Sequence, residues 1–463
     1  MVRLSQTERV MDGIRGRIAA RLLCAGDRLP SVRRAADLFD VSPATVVEAY
    51  DRLVAEGAIA AVARSGFFVS HLSGAPQSPS ARAPHRDPAI DPFWVSRQSL
   101  DSPAASDKPG CGWLPPEWMP QRALQRALRE VSRDPARLTD YGSTAGDPAL
   151  RRQIALRFSA EGLLCAPEQI LLTASGTQAI DLICRLLLRP GDTVLLDDPC
   201  YFNYQALMAA HDARLVSVPF TPTGPDPALF EAVVAAERPR LYITNSSLHN
   251  PTGGSLSLPT AHRLPGIAAA HGMVIVEDDI FADFAPGVPS MAALDGLSGV
   301  IRIGSFSKTL SAALRCGYIA ARPEWISSLS DLQMATGFGG PSPLATGIIS
   351  HVLASGGYRR HMEDLRRRLA RARLDVGGRL AAQGVIAQGQ PGGGFTLWCR
   401  LPDGLDSARL AQACLRENVI LAPGNVFSPS QSAAAYLRFN VTQTGERALA
   451  VLARAIDEVR DQT

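Results

Sequence analysis

A chain of 463 residues is long enough for two or three domains with well-buried cores. With 46% hydrophobic residues, 20% charged residues and a formal net charge of only +3, it has the composition of an ordinary soluble protein, and the charge alone indicates neither nucleic acid nor an anionic membrane. Eight cysteines lie scattered with no C-x-x-C pair, so neither a disulfide framework nor a zinc site is indicated. No basic, apolar leader opens the chain, so a cytoplasmic location is expected. The longest uncharged stretch, Leu332 to Tyr358, is interrupted by Gly, Pro and Ser, and no membrane span is expected.

Residues 1–70 read as a compact helical module ending in a wing. Ser31 is placed to cap a helix that carries Ala35, Ala36 and Phe39 inward. Ser42 then caps a second helix with Pro43 at its first position, where a missing N–H costs nothing. In that helix Val46, Ala49, Tyr50 and Leu53 fall at core spacing, leaving Ala44, Thr45, Val47 and Glu48 outward. Ala58-Ile59-Ala60 and Phe67-Phe68-Val69, joined around Arg64-Ser65-Gly66, read as a hairpin. The module holds ten arginines against eight acids, so its phosphate affinity as a single copy is modest.

Residues 71–109 turn to Pro, Ser, Ala and Asp (GAPQSPSARAPHRDP) and read as an extended linker. From 110 to 463 apolar runs alternate with helical stretches: Ile170–Thr173, Thr193–Leu196, Arg240–Thr244, Met273–Val276 and Val300–Ile303. Runs apolar on both faces and separated by helices predict an α/β domain with a largely parallel sheet. From about 326 the pattern becomes helix-rich and leads to Gly394–Leu401 and Ala435–Val441, which predict strands of a smaller α+β lobe. The arginines between Arg359 and Arg373 accompany Met362, Leu365 and Leu369 at helical spacing, which predicts a solvated helix face.

The chemistry-bearing residues gather where the apolar runs end, the edge at which open α/β sheets bind ligands. Ser175-Gly176-Thr177-Gln178 opens a helix whose amides suit a phosphate. Tyr201 offers an aromatic face, Asn250 an amide and Asp278 a carboxylate. Ser305 and Lys308 follow the fifth run, with Arg315 beyond. Lys108 and Lys308 are the only lysines among 47 basic residues, so a surviving lysine suggests work that arginine cannot do. Arginine holds its proton, whereas a desolvated lysine releases it and becomes a nucleophile. The set answers what pyridoxal 5'-phosphate requires: an amine for its aldehyde, a carboxylate for its pyridine nitrogen and a helix start for its phosphate. In NPTG, EDD or Lys308 taken singly the signal is weak; in order, at strand ends, it is specific.

Two resemblances follow from these motifs. GDRLPSVR, VSPATVVEAYDRLVAEGAIA and SGFFV closely resemble the GntR-type winged helix-turn-helix. That resemblance implies contact with double-stranded operator DNA through Arg33, Pro43, Ala44, Thr45, Arg64 and Gly66. Pro43 and Val47 stand where family members often carry basic residues, which shifts base reading toward apolar contact and the wing. Residues 110–455 resemble the fold-type-I aminotransferases, and the whole chain resembles the MocR subfamily of GntR regulators.

By that resemblance Lys308 bonds the cofactor aldehyde, Asp278 pairs with the ring nitrogen, Asn250 meets the ring hydroxyl and Tyr201 stacks on the ring. Ser175, Gly176, Thr177, Gln178, Ser305 and Arg315 hold the phosphate, and Tyr141 (TDYGSTAGDPALR) reaches it from a neighbouring subunit. Arg438 (YLRFNVT) clamps the carboxylate of an amino-acid-type effector. Phe281 lies where many members carry a tyrosine that bonds the ring hydroxyl, which points away from tuning for turnover. A head-to-tail homodimer is implied. The function expected is a regulator sensing the cofactor, an amino acid, or both; the alternative is a working aminotransferase with a passenger DNA-binding module.

Overall fold

A computed structural model describes residues 5–20, 22–63, 65–70, 92–102, 105–389 and 392–461. The chain divides into two compact units, Met1–Pro88 and Ala89–Thr463.

In the first unit the helices Gln6–Ala19, Val32–Phe39 and Pro43–Ala55 precede a hairpin of Ile59–Val62 and Gly66–Val69. Each helix starts where a serine hydroxyl accepts a first-turn amide: Ser5 from Glu8, Ser31 from Arg34 and Ser42 from Thr45. The second helix stops at Asp40 in the left-handed conformation, and Pro43 opens the third. Val46, Ala49, Tyr50 and Leu53 are fully buried against Val10, Ile14 and Ala35. The buried Tyr50 keeps its hydroxyl satisfied by donating to Pro30 O at 2.9 Å. This is a winged helix-turn-helix.

The second unit is built on a sheet in the order Ile170–Thr173, Gly317–Ala320, Val300–Ser305, Val274–Asp278, Leu241–Thr244, Thr193–Asp198, Arg214–Thr221 and Gly224–Pro225. The five strands from Val300–Ser305 to Arg214–Thr221 run parallel, and Gly317–Ala320 is antiparallel to both its neighbours. All five apolar runs are strands, several extended by one or two residues into the polar ends. A second, antiparallel sheet of Ile386–Ala387, Thr396–Arg400, Tyr436–Asn440 and Ala422–Pro423 carries Ser407–Arg416 and Glu446–Asp461. This is an α/β domain on a largely parallel sheet with a smaller α+β lobe.

Two expected boundaries are corrected. The stretch 71–109 is not extended throughout, because Pro92–Asp101 is a helix with Trp94 and Val95 in the core of the second unit. The small lobe does not begin near 326, because Pro323–Gly337 packs on the large sheet's flank and Pro343–Ala354 packs on Gln121–Val131. The lobe is instead entered along the helix Gly357–Ala381. It also recruits the segment before residue 110, where Gly110 N donates to Ile420 O and Asn440 N donates to Pro109 O.

Candidate functional site

The carboxyl ends of the parallel strands open into a cavity of about 180 Å3. The strand Thr193–Asp198 leads to Tyr201, Leu241–Thr244 to Asn245 and Asn250, Val274–Asp278 ends on Asp278, and Val300–Ser305 leads through Ser305 to Lys308. Ser175, Gly176, Thr177 and Arg315 join them, and Arg438 enters from the small lobe. Ten residues expected from the sequence thus meet on one cavity.

Asp278 is buried, and desolvation pushes its carboxyl up to about 6. Three donors oppose that rise. Tyr204 Oη donates to Asp278 Oδ2 at 2.6 Å, Ile280 N donates to Oδ1 at 3.2 Å, and Asn245 Nδ2 donates to the backbone carbonyl at 3.0 Å. Tyr204 and Asn245 were not singled out in the sequence. Tyr204 had a signal, lying one helical turn beyond Tyr201, whereas Asn245 is one polar residue in the run NSSLHN.

Lys308 keeps part of its surface open to the cavity, yet burial pulls its ammonium down to about 8. Arg438 and Arg315 push the same way, against Cys111 and Asp278. This amine can lose its proton far more readily than a surface lysine.

At the phosphate end, Ser175 caps the helix Gly176–Leu187 by accepting from Gln178 N at 3.0 Å. The first-turn amides of Gly176 and Thr177 have no intrahelical acceptor. Ser305 Oγ stands beside them, held by Ser307 N at 3.1 Å. A side chain at Gly317 would come within 2.7 Å of the Ser175 backbone, so only glycine lets this strand approach the helix start so closely. Gln178 does not line the cavity. Its Oε1 accepts from Ala174 N at 2.6 Å, which fixes the turn before the helix. Tyr141 also lies elsewhere: it is 81% exposed and packs edge-on against Phe338 at 5.1 Å.

Arg438 is 1% exposed and has no carboxylate partner among the described residues. Its Nη1 donates to Asn250 Oδ1 at 3.0 Å and its Nη2 to Gly110 O at 2.7 Å, while Nε has no partner. Burial lowers it to about 10, so it remains a cation near neutral pH. Phe281 lines the cavity and packs against Phe395 at 5.9 Å.

Asp279 is neither a cap nor solvent-facing. It is buried and paired with Arg302 at 2.7 Å, which also reaches Glu161 at 2.6 Å. This ion pair lies directly behind Asp278 in the chain and is structural. His249 stacks on Phe220 with centroids 3.7 Å apart, outside the cavity.

In the first unit Arg33, Pro43 and Ala44 are exposed and Thr45 is half-buried, its hydroxyl 2.8 Å from Ser42 Oγ. Gly66 takes φ +105° at the wing, a backbone that side chains resist. Arg64 lies outside the described residues.

The donor set fits pyridoxal phosphate: an amine of lowered pKa, a buried carboxylate, a helix start with hydroxyls, and a buried guanidinium with no carboxylate partner among the described residues. Comparison with known proteins agrees. The model of aminotransferase class I and II matches residues 115–456, and that of the bacterial regulatory proteins of the gntR family matches residues 6–69. An uncharacterized HTH-type transcriptional regulator of Escherichia coli, YdcR, is 29% identical over 465 residues, 96% of this chain and 97% of its own. The probable rhizopine catabolism regulatory protein MocR of Rhizobium meliloti is 30% identical over 376 residues, covering 76% of this chain and 73% of its own. Among solved structures, LysN, the alpha-aminoadipate aminotransferase of Thermus thermophilus complexed with N-(5'-phosphopyridoxyl)-L-leucine, superposes with a TM-score of 0.70. It is 29% identical, over 77% of this chain and 93% of its own. The chain belongs to the aminotransferase class I and II family and, with its gntR-type winged helix, to the MocR-type transcription regulators.

Proposed function

We propose that the second unit binds pyridoxal phosphate at Lys308 and reports an amino-acid ligand to the winged helix, which binds double-stranded operator DNA. The observation that carries this reading is the meeting of Lys308, Asp278 and Arg438 on one cavity in a chain that also has a winged helix. When bound, the cofactor supplies an electron-withdrawing ring to an attached amine. Asp278, kept ionised near neutral pH by Tyr204, Ile280 and Asn245, would hold a proton on the ring nitrogen. Gly176, Thr177, Ser305 and Arg315 would hold the phosphate, Tyr201 the ring face and Asn250 the ring hydroxyl. Arg438, already oriented by Asn250 and Gly110, would take a ligand carboxylate.

A head-to-tail homodimer goes with this reading. Exposed Tyr141, which does not line its own subunit's cavity, suits a residue that completes the phosphate site of a second copy. A cytoplasmic location goes with operator binding in this reading. The aminotransferase alternative has the complete cofactor set in its favour, but Phe281 lacks the hydroxyl that would steady the ring's phenolate. The test is covalent trapping. Borohydride reduction of the cofactor-loaded protein should fix the cofactor on the peptide containing Lys308, and Lys308→Ala should lose the absorbance band. The same band in Lys308→Ala would defeat the assignment.

A further inference from the structure

The helix Pro43–Ala55 begins apolar on its outward face. Its core positions are Val46, Ala49, Tyr50 and Leu53, and the same period leaves Pro43, Ala44 and Val47 exposed over the first two turns. None of these three side chains carries a polar atom, and Pro43 also lacks a backbone N–H. Val47 is 44% exposed. A β-branched side chain held in water on a helix gains no burial and lowers helix propensity. Its surface gains only from contact with another apolar group.

The polar groups beside them are engaged. Glu48 pairs with Arg52 one turn further on, and Thr45 shares its hydroxyl with Ser42 at 2.8 Å. The face continues through Asp51 and Ala55, so the cation on it, Arg52, is the one that Glu48 holds. In the major groove a base pair offers acceptors, donors or the methyl of thymine, and only the methyl is complementary to alanine and valine. The two acceptors of guanine would lose their hydration against this face with no donor to replace it.

We infer that Ala44 and Val47 read thymine methyls, so that the operator presents T·A pairs, and not G·C pairs, to the first two turns of this helix. The inference rests on the proposal that the winged helix binds operator DNA, and it names the base feature and the residues that recognise it. Ala44 and Val47 lie about 4.5 Å apart along the helix axis. That spacing suits neighbouring base pairs, which stack about 3.4 Å apart. Val47, with the larger exposed side chain, is the main specificity residue.

The test uses the cofactor-loaded full chain and the duplexes it selects from a random-sequence library. In a selected duplex each thymine is replaced in turn by deoxyuridine, which removes the methyl and keeps every hydrogen-bonding group. Affinity is read by fluorescence anisotropy. At one or two adjacent thymines uracil should weaken binding by about fourfold, the worth of one buried methyl. Val47→Ala, a change that favours the helix, should abolish the uracil effect at one of them. Three outcomes would overturn the inference while leaving operator binding standing: specific duplexes with no uracil-sensitive thymine, a uracil effect that survives in Val47→Ala, or a Val47→Ala that weakens all duplexes alike. Selection of no specific duplex by the parent would remove operator binding and this inference together.

Discussion

Lys308 must release its proton to bond an aldehyde, and enclosure brings that release closer to neutral pH. Burial lowers its pKa from 10.5 to about 8, with Arg438 and Arg315 adding repulsion. The unfolded chain would hold this proton up to the ordinary value, so the folded state carries a penalty below about 8 that is relieved as pH rises toward 10.5. The rate of cofactor uptake by the stripped protein should therefore rise with the neutral amine and level off with a midpoint near pH 8. Stopped-flow absorbance across pH 6.5 to 10.5 would measure it; a midpoint near the ordinary 10.5 would mean a solvated amine. Scarcity of lysine made Lys308 legible in the sequence. Tyr204 and Asn245 were not, because their role is to satisfy Asp278 across strand ends 74 and 33 residues apart.

Among the elements, the winged helix was the most legible, since serine caps, Pro43 and four core positions are all local signals. The helix Pro92–Asp101 was the least legible. It has one short apolar patch, Trp94 and Val95, and the proline-rich sequence before it resembles linker. The antiparallel strand Gly317–Ala320 was missed for a similar reason. It is four residues long, and its partners Ile170–Thr173 and Val300–Ser305 are set by long-range pairing.

The exposed start of Pro43–Ala55 presents little charge, and in the proposed reading it meets DNA by shape and apolar contact while exposed Arg33, on the preceding helix, would take a phosphate. Arg33→Ala should weaken operator binding across sequences and reduce the salt slope by about one. Thr45→Ala should relax preference at one base pair while leaving the slope in place. Fluorescence anisotropy at several salt concentrations separates the two. Parental affinity in Arg33→Ala at moderate salt would remove that residue from the interface.

At the scale of the molecule, a family of enzymes and a family of DNA-binding modules share one chain, and the cavity retains nearly everything the chemistry requires. What differs lies at its edges. Phe281 presents no hydroxyl to the cavity, and the helix nearest in sequence to the winged unit lines one of its walls. A ligand that favours one state of the molecule by its contacts shifts that state's share only by its difference in affinity between states. Couplings between two binding sites are typically worth about 1–3 kcal/mol, roughly 5- to 150-fold in affinity.

The most direct measurement is the operator affinity of the cofactor-loaded protein, titrated with and without the amino acid that shifts its absorbance, with keto-acid product assayed in the same samples. A regulator should change its operator affinity at least about fivefold, a change that Arg438→Ala abolishes, while product stays near background. Unchanged operator affinity accompanied by steady turnover at roughly 1–1000 per second would contradict the account and make the chain an aminotransferase.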